Sequence, residues 1–420
     1  MVVAESEVGR CKLLFPRLAV TAPVLPAAMS PSAGAVEVHT NSGLMNLMVM
    51  KIRAGLIGFI VIVQSVLFLA HLLLYETWTS SLPANGTSGL LWLKVVLGIL
   101  SLSFLSASLL AWRYTGRLVR AIYKVSAVWL GLLSFLFIAA VFSWLVFALA
   151  WARGWEMNFH VVVEALFGVA VAAGIYGVFN ANCTRITRTT VRLANLPEAW
   201  RGCKAALISD LHLGHVRNGS FLRRIVADVL KEKPDAIFIA GDLYDGTAID
   251  AKRAAEPLRQ LRAPHGVYFV AGNHEQFGDD SKYLQAVEAA GVRVLSNEKV
   301  EAAGLQIIGV PYRQAARNAH LASVLKGIGV DRGRASILLT HAPDHPQVAE
   351  AAGVSLQLSG HTHVGQFIPW SWMARRIYRQ FVYGLSRIGK MQVFTSSGVG
   401  TWGPPLRLGS NPEIVVLQFE

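Results

Sequence analysis

Cysteine is scarce in this 420-residue chain: Cys11, Cys183 and Cys203 are the only three. They are too few and too scattered for a disulfide framework or a thiolate zinc site, and they fit a reducing compartment. Charge is scarce too, at 15% of residues against 53% hydrophobic. Acidic residues are the smaller share, 26 against 39 Lys and Arg, which leaves a formal net charge of +13. The shortage of charge is local. Apolar runs crowd the chain before residue 180 and charges cluster after it, which argues against one large globule and predicts a membrane part followed by a soluble part. Much of the basic excess flanks the apolar runs. That placement assigns it to lipid headgroups and topology, and nucleic acid is not expected as a partner.

Four stretches reach the roughly 20 residues needed to cross a hydrocarbon core. They are residues 54–75, 90–112, 125–151 and 161–179, within an expected membrane domain over 46–182. Lys51 and Arg53 precede the first, Arg113, Arg117, Arg120 and Lys124 follow the second, and Arg185, Arg188 and Arg192 follow the fourth. Counting these charges places both termini, and the soluble half, in the cytoplasm of a multi-pass cell-membrane protein. Gln64, His71, Lys94 and Glu164 are the polar residues within the spans; Lys94 and Glu164 lie near span ends, where snorkelling is the ordinary explanation for a lysine. Residues 1–45 lack helical or strand periodicity and read as a disordered cytoplasmic tail, or as a mis-assigned start with Met45, Met48 or Met50 as the true one. Residues 183–202 read as a basic linker into a compact domain over 203–420.

In that domain short apolar runs alternate with amphipathic helical stretches. One stretch sets Phe221, Ile225, Val226 and Val229 on a single face, and another sets Tyr283, Leu284 and Val287. The alternation predicts a sheet covered by helices, with its site on loops past the strand C-termini. Five apolar runs stop on side chains that bind metals: ALISDLH (Asp210, His212), AIFIAGD (Asp242), VYFVAGNH (Asn273, His274), SILLTH (His341) and LQLSGHTH (His361, His363). Singly, Asp210 reads as a helix cap and Asp242 as a turn former. Turns have no need of histidine, however, and five histidines follow strands here. Together these residues predict a pocket of oxygen and nitrogen ligands suited to two divalent metals. A carboxylate spans two cations about 3.5–4 Å apart, and neutral imidazoles preserve their charge, so that bound water is acidified for in-line attack on phosphorus.

The series SDLH, GDLYD, GNHE, TH and GHTH resembles the signature of the calcineurin-like metallophosphoesterase superfamily, over about residues 203–420. GHTHVGQ and the closing SSGVGTWGPPLRLGSNPEIVVL resemble its membrane-anchored bacterial branch and transmembrane proteins carrying such a domain. The resemblance implies a layered β-sandwich flanked by helices, behind an all-α four-helix membrane region. It assigns Asp210, His212 and His363 to one metal, Asp242 to the bridge, and Asn273, His341 and His361 to the other. His274 would stand beside the phosphate without ligating, and Glu275 and Asp245 would orient His ligands. His215 is a further candidate for substrate contact. The metals would be manganese, iron, zinc or magnesium, with manganese the working expectation. Where relatives often have Gly, this chain has Val364, which bears on local loop geometry.

After that motif, Trp370, Trp372, Ile377, Tyr378 and Phe381 interleave with Arg375, Arg376 and Arg379, which suggests docking on anionic headgroups. The expected function is hydrolysis of a phosphate mono-, di- or pyrophosphate ester, with a phospholipid or lipid-linked phosphate as substrate and the cytoplasmic membrane as partner. The alternatives are a non-catalytic phosphate-sensing scaffold and a transporter with an accessory hydrolase domain.

Overall fold

Helices α1 (Ser42–Ser81), α2 (Leu91–Arg113), α3 (Arg117–Arg153) and α4 (Phe159–Asn180) open the computed structural model, which describes residues 42–83 and 89–420. The tail expected over residues 1–45 lies outside the described residues up to 41, and its last four residues begin α1. Each of the four helices is long and apolar enough to cross a membrane. At a rise of 1.5 Å per residue, even the 22 residues of α4 cover about 33 Å. Large apolar side chains such as Ile62, Phe68, Ile99 and Ile175 face outward, a surface suited to lipid and not to water. This is a membrane protein. Helix α1 continues past the expected end at Tyr75, and α3 starts ahead of the expected Val125, because RLVRAIYK supplies two further helical turns before the apolar run.

The rest of the chain builds β1 (Arg185–Val191), β2 (Lys204–Ile208), α5 (Gly219–Lys231), β3 (Ala236–Ile239), α6 (Ala251–Ala255), β4 (Val267–Phe269), α7 (Ser281–Ala289), β5 (Arg293–Val294), β6 (Glu298–Ala302) and β7 (Leu305–Gly309). There follow α8 (Tyr312–Ala315), α9 (Asn318–Ile328), β8 (Ser336–Leu339), α10 (Pro346–Ala352), β9 (Leu356–Ser359), α11 (Trp370–Tyr378), β10 (Gly384–Ile388), β11 (Met391–Thr395) and β12 (Glu413–Phe419). They form two six-stranded sheets, ordered β1-β12-β2-β3-β4-β5 and β10-β11-β9-β8-β7-β6. The stretch read as a linker contains an edge strand. RITRTTV is rich in β-branched residues and pairs in parallel with β12 along its whole length. That partner comes more than two hundred residues later, so nothing local announces it.

Leu207, Phe238, Ile307, Ile337, Leu358 and Val415 fill the space between the sheets. Outside the first sheet lie Ile225, Val226 and Val287 of α5 and α7; outside the second lie Leu321, Leu325 and Ala349 of α9 and α10. The expected sandwich flanked by helices is therefore present. Strands β2, β3 and β8 are covered on both faces, which explains their apolar runs AALI, AIFI and ILL; β9 is buried throughout as well and carries Gln357 between Leu356 and Leu358. Asn218 starts α5 by accepting hydrogen bonds from the N–H groups of Ser220 and Phe221.

The domain is seated on the helical bundle. Leu406 lies where a Cβ on Gly131 would stand, and it also touches the space beside Gly177, so any side chain at 131 would force Leu406 to move. The Arg407 N–H donates to the Gly177 carbonyl at 2.9 Å, and Asn180 Nδ2 donates to the carbonyls of Arg407 and Ser410 at 3.1 and 3.0 Å. Phe367 meets Phe135 of α3 edge-on, with ring centroids 5.6 Å apart. The Ala248 N–H donates to the Ala111 carbonyl at the end of α2.

Candidate metal centre

Every motif residue lies just past a strand, as the apolar runs predict: Asp210 and His212 after β2, Asp242 after β3, Asn273 and His274 after β4, His341 after β8, His361 and His363 after β9. Three of these strands belong to one sheet and two to the other, so the site sits where the C-terminal edges of both sheets meet. Asp210, His212, Asp242, His361 and His363 all have φ between 46° and 72°. The left-handed region is uncommon for side-chain-bearing residues, and such strain concentrates at functional sites. The turns pack tightly. A Cβ on Gly360 would strike Asp210 and Ser209, and Gly272 is held equally close to Asp242.

The side chains form overlapping groups: Asp210, His212 and His363; His212, Asp242 and His274; Asp242, His341 and His361. His212 Nε2 lies 3.0 Å from His363 Nε2, and His361 Nδ1 lies 3.0 Å from His341 Nε2. Asp242 Oδ2 is 3.1 Å from His341 Nε2, 3.8 Å from His212 Nε2 and 3.9 Å from His274 Nε2. Asp210 Oδ1 is 3.4 Å from His363 Nε2. Asn273 Oδ1 is buried and takes no hydrogen bond from the protein, the condition of an oxygen reserved for a cation. Carboxylate oxygen, amide oxygen and imidazole nitrogen without thiolate form a donor set that fits divalent manganese, iron, zinc or magnesium.

Electrostatics follow from burial and crowding. Burial, then the neighbouring His274, holds His212 well below the usual imidazole range; burial and the Arg407 charge do the same to His363. Burial with His341 beside it brings His361 down to about 4. Burial opposes the charged form of His341, but Asp242 against it outweighs that and lifts it to about 10. Burial likewise favours neutral Asp242, yet the imidazoles of His341, His274 and His212 keep it well below the usual carboxylate range. Asp242 is thus an anion and His212, His361 and His363 are neutral, as cation ligands must be, while His341 would give up its proton to a cation that displaced it from Asp242.

Two expected roles are corrected. Glu275 orients no ring: its carboxylate accepts the backbone N–H groups of Asp242, Tyr244 and Gly272 at 2.7–3.0 Å and fastens the two turns together. Asp245 acts through its main chain, whose carbonyl lies 2.9 Å from His274 Nδ1, while its carboxylate accepts from Thr247. His215 is buried away from the pocket. It binds Thr247 Oγ1 at 3.0 Å and the Tyr114 carbonyl at 2.8 Å, joining the domain to the turn between α2 and α3. Arg407 is missing from any reading of the motifs. Its fully buried guanidinium donates to the carbonyls of Ser397 and Gly400 at 2.8 and 2.6 Å, and Nη2 lies 3.1 Å from His363 Nδ1. No local signal marks it, because the contact that ties it to the site is with His363, 44 residues earlier in the chain.

The calcineurin-like phosphoesterase family matches residues 203–365. An Aquifex aeolicus protein described as an uncharacterized metallophosphoesterase is 32% identical over 260 residues, 60% of this chain and 98% of its own length. A Campylobacter jejuni protein of similar description is 28% identical over 295 residues, 69% of this chain and 78% of its own. A Danio rerio transmembrane protein with a metallophosphoesterase domain is 32% identical over 275 residues, and the match spans 61% of this chain and 62% of that relative. The family match over residues 203–365 and 32% identity across 98% of the Aquifex protein establish that this chain belongs to the calcineurin-like metallophosphoesterase family.

Proposed function

We propose that the protein is a membrane-anchored, metal-dependent phosphoester hydrolase whose catalytic domain faces the cytoplasm. The observation that carries this reading is the position of Asp242, one carboxylate oxygen of which faces imidazoles of both ligand groups. Asp210, His212 and His363 would hold one metal ion, Asn273, His341 and His361 the other, and Asp242 would bridge. When bound, two such ions supply positive charge that acidifies water and draws electron density from a phosphoryl group.

The chain's own residues do the rest. His274 Nδ1–H donates to the Asp245 carbonyl, which fixes the ring and turns Nε2 toward Asp242 and the pocket. From there Nε2 stabilises phosphoryl charge or passes a proton to the leaving oxygen. Phe277 and Trp402 flank the same imidazole, with centroids 4.5 and 5.9 Å away, and limit water around it. The cytoplasmic orientation is supported by Arg113, Arg117, Arg120 and Lys124, which lie at the bundle end where the domain is attached. The substrate class is a phosphate mono-, di- or pyrophosphate ester, with a phospholipid or lipid-linked phosphate favoured because tethering concentrates the enzyme on membrane substrates. Manganese is the first ion to try.

The test uses the full chain in detergent micelles with p-nitrophenyl phosphate and its bis-ester, supplied with Mn²⁺ and then with a chelator. Turnover should need the ion, and His274→Ala should keep bound metal while losing about 10²-fold in rate. Equal turnover with and without chelator would defeat the reading.

A further inference from the structure

Among the described residues after 180, every exposed large hydrophobic side chain lies at Phe277, within 370–385, or at Trp402. The rest of the catalytic domain shows the surface expected of a soluble protein. Those segments surround the metal centre. Phe277 and Trp402 flank His274, and Tyr378 at the end of α11 lies 6.0 Å from His361, ring to ring.

They are also the segments nearest the bilayer. Phe367, three residues before α11, reaches Phe135, which also neighbours Gly174 of α4. Gly174 precedes the cytoplasmic end of α4 at Asn180 by about 9 Å of helix. Phe367 therefore enters the bundle, and α11 leaves it at the depth of the membrane surface. Trp402 is tied to the same segment: its N–H donates to Gln366 Oε1 at 2.9 Å, and Gln366 Nε2 donates to the Trp402 carbonyl at 2.8 Å. Four residues later, Leu406 sits between α3 and α4.

Helix α11 has one buried residue, Ser371. Trp370, Met373 and Ile377, spaced as i, i+3 and i+7, form an outward apolar stripe with no protein over it, and Arg375, Arg376 and Arg379 are exposed around it. An apolar stripe flanked by arginines matches the layered chemistry of an anionic leaflet, hydrocarbon below and phosphate above.

We propose that α11 lies in the headgroup layer of an anionic bilayer, its Trp370–Met373–Ile377 stripe immersed and its arginines on lipid phosphates. The mouth of the metal centre then rests on the membrane surface and takes phosphate esters from the headgroup plane. That last consequence rests on the hydrolase reading, but the membrane contact does not.

The test places a bimane label on Met373→Cys in the full chain with Cys11, Cys183 and Cys203 changed to Ser, reconstituted in phosphatidylglycerol nanodiscs containing doxyl-labelled lipid. Glu198→Cys is the control; Glu198 is exposed and precedes β2, at the sheet edge opposite the site. Lipid quenching should be several-fold greater at 373 than at 198. It should fall when phosphatidylcholine replaces phosphatidylglycerol, and when Arg375, Arg376 and Arg379 are all changed to Glu. Equal quenching at the two positions overturns the proposal. So does shielding of 373 from aqueous iodide without lipid quenching, which would mean a protein cover such as a second copy. Quenching is read without turnover: a chain that is quenched but hydrolyses nothing refutes only the hydrolase reading.

Discussion

Asp242 Oδ2 stands 3.1 Å from His341 Nε2 and 3.8 Å from His212 Nε2, so a single carboxylate oxygen faces histidines carried by different sheets. Asp242→Asn keeps the shape and removes the charge. Its Oδ1 already accepts the His274 N–H, so the amide nitrogen is forced toward the imidazoles, where it cannot ligate. Metal content per chain, measured by plasma mass spectrometry, should drop by half or more with a fully folded protein. Unchanged metal content would remove Asp242 from the bridging role.

Glu275→Gln tests the brace between the turns. The glutamate gives both oxygens to three backbone N–H groups, and glutamine has only one oxygen to offer. At least one buried N–H loses its partner, which costs about 1–3 kcal/mol. Thermal unfolding of the purified chain should shift downward, and a melting temperature equal to that of the parent would count against this role.

Val364 has φ 53° and ψ 27°, a left-handed conformation that β-branched residues avoid, and its side chain is buried. Val364→Ala and Val364→Gly both forfeit the burial, but only glycine also releases the backbone strain. The glycine variant should therefore be the more stable of the two by about 1 kcal/mol. A less stable glycine variant in chemical denaturation would contradict this.

Leu406 joins the metallophosphoesterase domain to the helical bundle beside Gly131 and Gly177. Truncation in Leu406→Ala should destabilise the chain by about 3 kcal/mol, as for other buried leucines. Gly131→Leu should destabilise it as well, since its side chain needs the space that Leu406 occupies. Thermal stability in detergent is the readout; a Leu406→Ala chain that melts like the parent would show that the contact bears no load.

What could be read in advance was whatever a short stretch of chain specifies by itself. The four apolar runs had length, and strands β2, β3 and β8 had apolar runs that lead within a few residues to Asp or His, as β9 does with Gln357 interposed. The histidines of the metal centre were visible because each ends such a run. Contacts between distant segments left no such mark. RITRTTV looks like a charged linker until β12 is beside it, and His215 looks like a loop residue until Tyr114 meets it. The same holds for Leu406, which meets α3 and α4, and for Arg407, whose N–H reaches Gly177 and whose guanidinium reaches His363. Backbone conformation was equally silent: Asp210 and His363 do not reveal a positive φ by their identity.

The most direct measurement is metal stoichiometry taken together with turnover on one sample of the full-length chain. Reconstituted with Mn²⁺ and freed of excess ion, the protein should carry two ions per chain and hydrolyse a nitrophenyl phosphate ester. Activity should fall with bound metal on chelation and return when the ion is restored. Sustained hydrolysis by protein that holds no metal would contradict the account.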